Sequence, residues 1–310
     1  MNFTTDSFSQ IEEFVASKVA MVSPRSFCSN PQTLQTNVFQ VSSDPAQNEK
    51  VLEQAKQEFL RFQKKLIDAG IEVLKFEEKP DSHTPDALFL NNWFCHLPDG
   101  RVVLFPMLAE NRRSEYREDV IDSLMPLSRS DLRYLAHENA FLEGTGSLIF
   151  DHAQQMAYAC RSPRTTDRGL QVFSEVSNYS IIAFSSTDEK NVPIYHTNVM
   201  MTLSPQIGLI CLESIKNTRE KNIVMNSFMV SGRQIVDITL DQVRNFVGNM
   251  LFLENKKGQR FWVCSERAYK SLTEEQKKTL EEEAQFLYSP LDTIETYGGG
   301  GARCLLAEIF

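Results

Sequence analysis

Apolar residues fall at helical spacing over residues 46–69, where Val51, Leu52, Ala55, Phe59, Leu60, Phe62 and Leu66 share one side. Gly70 follows as a stop, and IEVLKF then alternates as a strand. A second charged stretch, SERAYKSLTEEQKKTLEEEA, predicts another solvated helix ahead of the apolar FLYSP. Between them one form recurs: a polar residue followed by a short apolar strand. It occurs in DALFLNN from Asp86, EGTGSLIFD from Glu143, HTNVMMTLS from His196, GNMLFLEN from Gly248 and ARCLLAEIF from Ala302. The apolar centres near Leu88, Leu148, Met200, Leu251 and Leu305 are 60, 52, 51 and 54 residues apart, and VAMVSP near Met21 precedes Leu88 by 67.

That period predicts five strand-and-helix units packed about an axis, although the segments share almost no identity. Equivalent strand starts would then meet at one central channel. Asp86, Glu143, His196 and Cys304, some separated by 200 positions, would converge there. No linker composition interrupts the pattern, so a single catalytic domain over 1–310 is expected, with residues 1–17 as an N-terminal extension.

Composition narrows the class. The chain has 310 residues with 42% hydrophobic and 24% charged, ordinary values for a protein with a sizeable core. The net charge is −9 and no Lys/Arg run exceeds two, which argues against a nucleic-acid groove or an acidic membrane surface. No apolar run approaches the roughly 18 residues of a membrane span, and the first residues lack the basic start and apolar stretch of a secretory leader. Six cysteines lie far apart with no CxxC and no histidine at metal-ligand spacing. Five of them read as small buried hydrophobes, and a reducing, cytoplasmic setting is expected. Neither metal nor organic cofactor is expected.

Cys304 is the exception. Four of the chain's 13 glycines, Gly298 to Gly301, stand just before it. Such a run is either a bland flexible loop or a device that brings backbone and one thiol close to a ligand. A thiolate nucleophile needs an imidazole to handle protons. Of five histidines, only His196 starts a strand at the repeat-equivalent position. Glu143, between Leu142 and Gly144, is either a turn residue or the carboxylate that orients that imidazole.

Six motifs then resemble, in order, those of the guanidino-group modifying enzymes: arginine deiminases, dimethylarginine hydrolases and glycine amidinotransferases. PDALFLNN is similar to their P-D-x-V-F-x-R-D, Arg112-Arg113-Ser114-Glu115 to R-R-x-E, LEGTGSLIFD to E-G-G-D, CRSPRT to G-x-S-x-R-T, HTN to H-x-D and GGGGARC to G-G-G-x-R-C. The resemblance implies the pentein fold, an α/β five-bladed propeller with pseudo-fivefold symmetry. It implies Cys304 as nucleophile, His196 as general acid/base and Glu143 beside it. Arg164 would hold a substrate α-carboxylate, with Arg112 or Arg113 assisting, and Asp86 would hold the headgroup.

The departures concern the substrate. Asn92 and Asn198 stand where guanidine-processing members carry aspartates, and Gly146 replaces the last aspartate of E-G-G-D. A guanidinium has only donors and calls for carboxylates, whereas a ureido group has a carbonyl beside its N–H groups. Asparagine amides match the second. The chain therefore resembles the citrulline-utilisation hydrolase branch, which implies L-citrulline cleaved to ornithine, CO2 and ammonia. A deiminase or dimethylarginine hydrolase is the alternative, and an inactive pentein scaffold a lesser one. The expected partner is a small amino acid, and a homodimer is left open.

Overall fold

Each short apolar run pairs with a strand close by in the chain before a helix carries the backbone across to a third strand. In the computed structural model, which describes residues 14–80 and 82–310, this happens in four of the five sheets. Residues 1–13 of the expected N-terminal extension lie outside the described residues.

Strand β1 (Lys18–Ser23) leads through helix α1 (Asn48–Asp68) to β2 (Glu72–Glu77), parallel to β1. A hairpin follows, β3 (Phe94–His96) against β4 (Arg101–Leu104), and α2 (Glu118–Ser123) crosses to β5 (Ser128–Asp131), parallel to β4. The short α3 (Gly144–Ser147) enters β6 (Ile149–Asp151), which pairs with β7 (Met156–Arg161), and α4 (Asp167–Ser177) crosses to β8 (Ser180–Ser185). The same plan gives β9 (Met201–Leu203), β10 (Ile207–Ile210), α5 (Thr218–Val230) and β11 (Gln234–Asp237). After α6 (Leu240–Arg244) come β12 (Leu251–Glu254), β13 (Arg260–Ser265), α7 (Glu266–Ser271), α8 (Glu274–Glu281) and β14 (Gln285–Ser289). Finally α9 (Asp292–Gly298) precedes β15 (Ala307–Ile309), which pairs antiparallel with β1.

The result is five three-stranded sheets of mixed pairing, and among the described residues none closes on itself. One sheet is assembled from both ends of the described chain, β15-β1-β2. That explains why the segment near Met21 stood apart from the even spacing of the others: its hairpin partner is at the far end of the sequence.

Two expectations are corrected. In several of the repeated segments the polar residue does not start the strand. A single helical turn comes first, over Leu90–Asn92, Gly144–Ser147, Thr197–Val199 and Ala302–Leu305, and the strand begins one or two residues later. The second predicted helix is two helices. Leu272 is extended, and Thr273 with Gln276 forms a reciprocal capping box that starts α8 afresh.

Helix α1 buries Val51, Ala55, Phe59, Phe62 and Leu66, and the two phenylalanines are fully covered. Each contributes about 1.5–3 kcal/mol by leaving water. Buried among them is Glu58, whose carboxylate accepts the N–H groups of Thr293 and Ile294 at the start of α9. The helix that leads to the glycine run is thus anchored by the first helix of the chain.

Candidate active site

The single turns ahead of β3, β9 and β15, or the residues that open them, place polar side chains around one small pocket. Asp86, Asn92, Arg112, Arg164, His196 and Cys304 line it. Asp86 and Cys304, 218 positions apart, are thus brought to one pocket. Asn198 also belongs to this group through its contact with Cys304.

One side is a charged network. His196 Nε2 lies 2.9 Å from Glu143 Oε2, and both side chains are buried. Glu143 Oε1 accepts the N–H of Leu108 at 3.0 Å, and Arg164 Nη1 lies 3.5 Å from Oε2. Burial pushes the Glu143 carboxyl up, but Arg164, the His196 hydrogen bond and Arg112 outweigh it and hold it ionised. An ionised carboxylate only accepts, so Nε2 carries the imidazole proton and Nδ1 is the position that can take a second one. Burial lowers the His196 pKa, and Glu143 offsets only part of that. The ring is therefore neutral at neutral pH. Gly146 is explained here: a Cβ would lie 2.6 Å from Asn92 Nδ2 and 2.7 Å from His196 Nδ1. The ring and the amide close onto bare backbone where the family motif has its final aspartate.

Arg112 is buried beneath this network. It pairs with both oxygens of Glu115 at 2.9 Å and donates to Asn92 Oδ1 at 2.8 Å. Asn92 was expected to offer donor and acceptor to the substrate. Its carbonyl is engaged by Arg112 and one amide N–H donates to Asn91 Oδ1 at 3.3 Å, which leaves the second N–H. Arg113 is not brought to the pocket: it donates to the carbonyls of Met107 and Leu108 and stacks over Phe141. Arg164 reaches the pocket while binding Thr36 Oγ1 and Thr33 O and lying over Tyr195.

The other side holds a thiol. Cys304 is buried on the single turn after the glycine run. Asn198 flanks its sulfur with Nδ2 at 3.6 Å and Oδ1 at 3.7 Å, and Asn249 Nδ2 donates to it at 3.2 Å. Burial pushes the thiol pKa up, and Asn249, Arg303 and Asn198 recover only part. The thiol is therefore protonated at neutral pH. Asp86 completes the pocket. Its Oδ2 accepts from Asn30 at 2.8 Å and Thr33 at 3.3 Å, while the buried Oδ1 has no hydrogen-bond partner. Burial pushes this carboxyl up towards its neutral form, against Arg112, Asn30, Arg164 and Thr33.

Sequence reasoning missed Asn249 and the segment around Asn30, Thr33, Thr36 and Asn37. The segment is aperiodic and polar, and nothing in it announced a role. It binds Asp86, Arg164 and the carbonyls of Gly298 and Gly299. Asn249 did have a signal, because it stands two residues before Leu251 in GNMLFLEN, as Asp86 does before Leu88 and Asn198 before Met200. Among the described residues no His/Cys/Asp/Glu group could hold a metal ion, all six cysteines are unpaired, and no helix is long and apolar enough to cross a membrane.

A mixed α/β chain of small sheets, with a thiol facing an imidazole–carboxylate pair, defines a class: the pentein superfamily of guanidino-group modifying enzymes. Residues 23–310 match the family described as N,N dimethylarginine dimethylhydrolase, eukaryotic, and the chain belongs to that family, among cysteine-dependent hydrolases of guanidino groups. No curated protein matches the sequence. Among solved structures, the N-terminal domain of ArgZ bound to substrate, an arginine dihydrolase from the ornithine-ammonia cycle in cyanobacteria, matches with TM-score 0.73 and 15% identity, covering 94% of this chain and 97% of that one. AgrE in complex with L-arginine matches at 0.72 and 14%, covering 94% of this chain and 40% of that longer one. A dimethylarginine dimethylaminohydrolase adduct with S-methyl-L-thiocitrulline matches at 0.64 and 11%, covering 94% and 99%. At these identities the structural likeness establishes the fold.

Proposed function

We propose that the chain hydrolyses the ureido C–N bond of L-citrulline to give ornithine, CO2 and ammonia, with its five sheets as the blades of a five-bladed propeller around the pocket. The observation that carries the substrate is the pair of amides, Asn198 and Asn249, beside Cys304 Sγ. When a thiolate adds to a ureido carbon, the carbonyl electron pair becomes an oxyanion, which needs N–H donors nearby. Addition to a guanidinium instead leaves amino groups that need acceptors. An Asn198 N–H suits the first case.

His196 receives the thiol proton as Sγ attacks, since its imidazole is neutral, and returns it to the departing amine. Glu143 fixes the tautomer and stabilises the imidazolium that forms. Asn198 donates to the oxyanion, the Asn92 N–H and Asp86 hold the headgroup, and Arg164 holds the α-carboxylate. Water, deprotonated by His196, then releases the acyl group from sulfur. Whichever amine departs first, the products are the same: if ornithine leaves first, the released carbamate decomposes to CO2 and ammonia, and if ammonia leaves first, the released N-carboxylate of ornithine loses CO2 to give ornithine.

A guanidino substrate is the second reading. The unpartnered Asp86 Oδ1 supports it, as do the family's description and neighbours bound to arginine. The deciding experiment incubates the purified protein separately with citrulline, arginine and dimethylarginine, and assays ornithine, citrulline and ammonia. Ornithine and ammonia from citrulline are expected. Citrulline accumulating from arginine or dimethylarginine, with citrulline itself untouched, overturns the proposal in favour of the second reading.

A further inference from the structure

Asn249 stands on the turn before β12 and is wholly buried. Its Nδ2 donates to Cys304 Sγ at 3.2 Å and to the carbonyl of Asn198 at 2.8 Å. Its Oδ1 lies 3.4 Å from the Cys304 N–H, and its own carbonyl 3.4 Å from the Arg303 N–H. One amide therefore touches the sulfur and backbone of Cys304 and the backbone of Asn198.

The chain around Asn249 is held in a costly shape. Phe246 has φ 60°, a left-handed conformation that bulky residues rarely adopt. Gly248 leaves no room for a side chain, since a Cβ would sit 2.4 Å from the Val199 carbonyl. The turn is thereby pressed against the backbone that carries Asn198. An N–H aimed at sulfur favours thiolate over thiol, because the anion is the stronger acceptor. Burial of Cys304 works the other way, so this donor has a large opposing effect to offset.

We propose that Asn249 is a positioning residue that fixes the Cys304 rotamer and stabilises its thiolate while tying Asn198 into the same cluster. The inference rests on Cys304 as nucleophile and is independent of the substrate. The test measures alkylation of Cys304 by iodoacetamide against pH, read at the Cys304 peptide by mass spectrometry, in wild type, Asn249→Ala and the isosteric Asn249→Asp. The expected result is a midpoint raised by about one pH unit in Asn249→Ala, a roughly tenfold loss of thiolate below the midpoint. Asn249→Asp should move further, because a carboxylate replaces the donor with a like charge. The high-pH plateau should hold, showing that access is unchanged. Asn249→Gln, which keeps the donor, should restore part of the shift. If Asn249→Ala fails to fold, Asn249→Asp decides. An unmoved midpoint in a folded variant overturns the proposal even if turnover falls, because a packing defect alone would do that.

Discussion

The two sides of the pocket are built on different physical grounds. The side of His196 and Glu143 is a closed electrostatic network in which two guanidiniums and a backbone N–H satisfy the carboxylate. The side of Cys304 has amides against a sulfur, carried by a turn after four glycines and held by neighbours from distant segments. Charge fixes the first so firmly that its protonation states are set before substrate arrives. The second keeps its thiol protonated by burial. On the proposed mechanism the acid–base half is preorganised, and the nucleophilic half waits for a proton to move to His196.

The largest effect breaks the nucleophilic half outright. Cys304→Ser should reduce turnover by on the order of a thousandfold or more, with the melting temperature retained. The other five cysteines belong to packing or to the loop at Cys28, and their Ala or Ser variants should keep activity apart from packing losses. Substantial turnover in a stable Cys304→Ser would mean that the sulfur is not the nucleophile.

Next comes specificity. Asn92→Asp with Asn198→Asp should shift the citrulline/arginine preference by up to about thirtyfold towards arginine, since charged hydrogen bonds to a guanidinium are each stronger than neutral ones by about 1 kcal/mol. The structure sharpens this. The Asn92 carbonyl is bound by Arg112, so a carboxylate there mainly strengthens an internal ion pair. Asn198→Asp alone should therefore give most of the shift. The measurements are kcat/KM for citrulline and Kd for arginine in wild type, both single variants and the double. A preference that stays put would mean the amides do not read the headgroup.

The same contrast decides what could be read from the chain. Long amphipathic periodicity exposed α1, and charged or nucleophilic side chains in recognisable motifs exposed Cys304, His196 and Glu143, because their chemistry is rare enough to be informative. Asn249 and Asn30 escaped because an asparagine in a turn is ordinary until its partner is known, and their partners are 55 and 56 residues away. The Arg112–Arg113 pair shows the converse, a motif that left two candidates open. Arg113 shares the motif with Arg112, yet neighbouring residues in a single turn point apart, one into the pocket and one onto backbone carbonyls. The break between α7 and α8 was missed because a charged, helix-favouring composition continued through Leu272, while the Thr273 cap was the local signal that won.

Glu143→Gln tests the charged half more gently. It keeps the shape and a hydrogen bond but removes the anion, so kcat should fall by about tenfold to a hundredfold. Glu143 raises the His196 pKa against the lowering effect of burial. Its removal should therefore shift the acid limb of kcat/KM to lower pH, while the limb set by the Cys304 thiol stays. An acid limb that moves up, or a thiol limb that moves with it, would mean that the two halves are not separate.

The smallest effect lies behind the nucleophile, in α9. Glu295 is wholly buried, and Arg267 Nε stands 3.1 Å from its Oε2. Burial pushes its pKa up to about 8, and Ser265 and Arg267 pull against that while Asp292 and Glu58 add to it. A carboxyl whose folded pKa is raised contributes stability that is complete below its unfolded pKa of about 4.3 and is lost as pH rises through the folded value. Glu295→Gln keeps the neutral form at every pH. The melting temperature of the variant relative to wild type should therefore climb between about pH 5 and about pH 9, by a few degrees at most. Activity near neutral pH should stay close to wild type, since Glu58 still anchors the start of α9. A difference that is flat or falls with pH would mean that Arg267 compensates the charge fully, and that the support of the glycine run is as closed electrostatically as the His196 side.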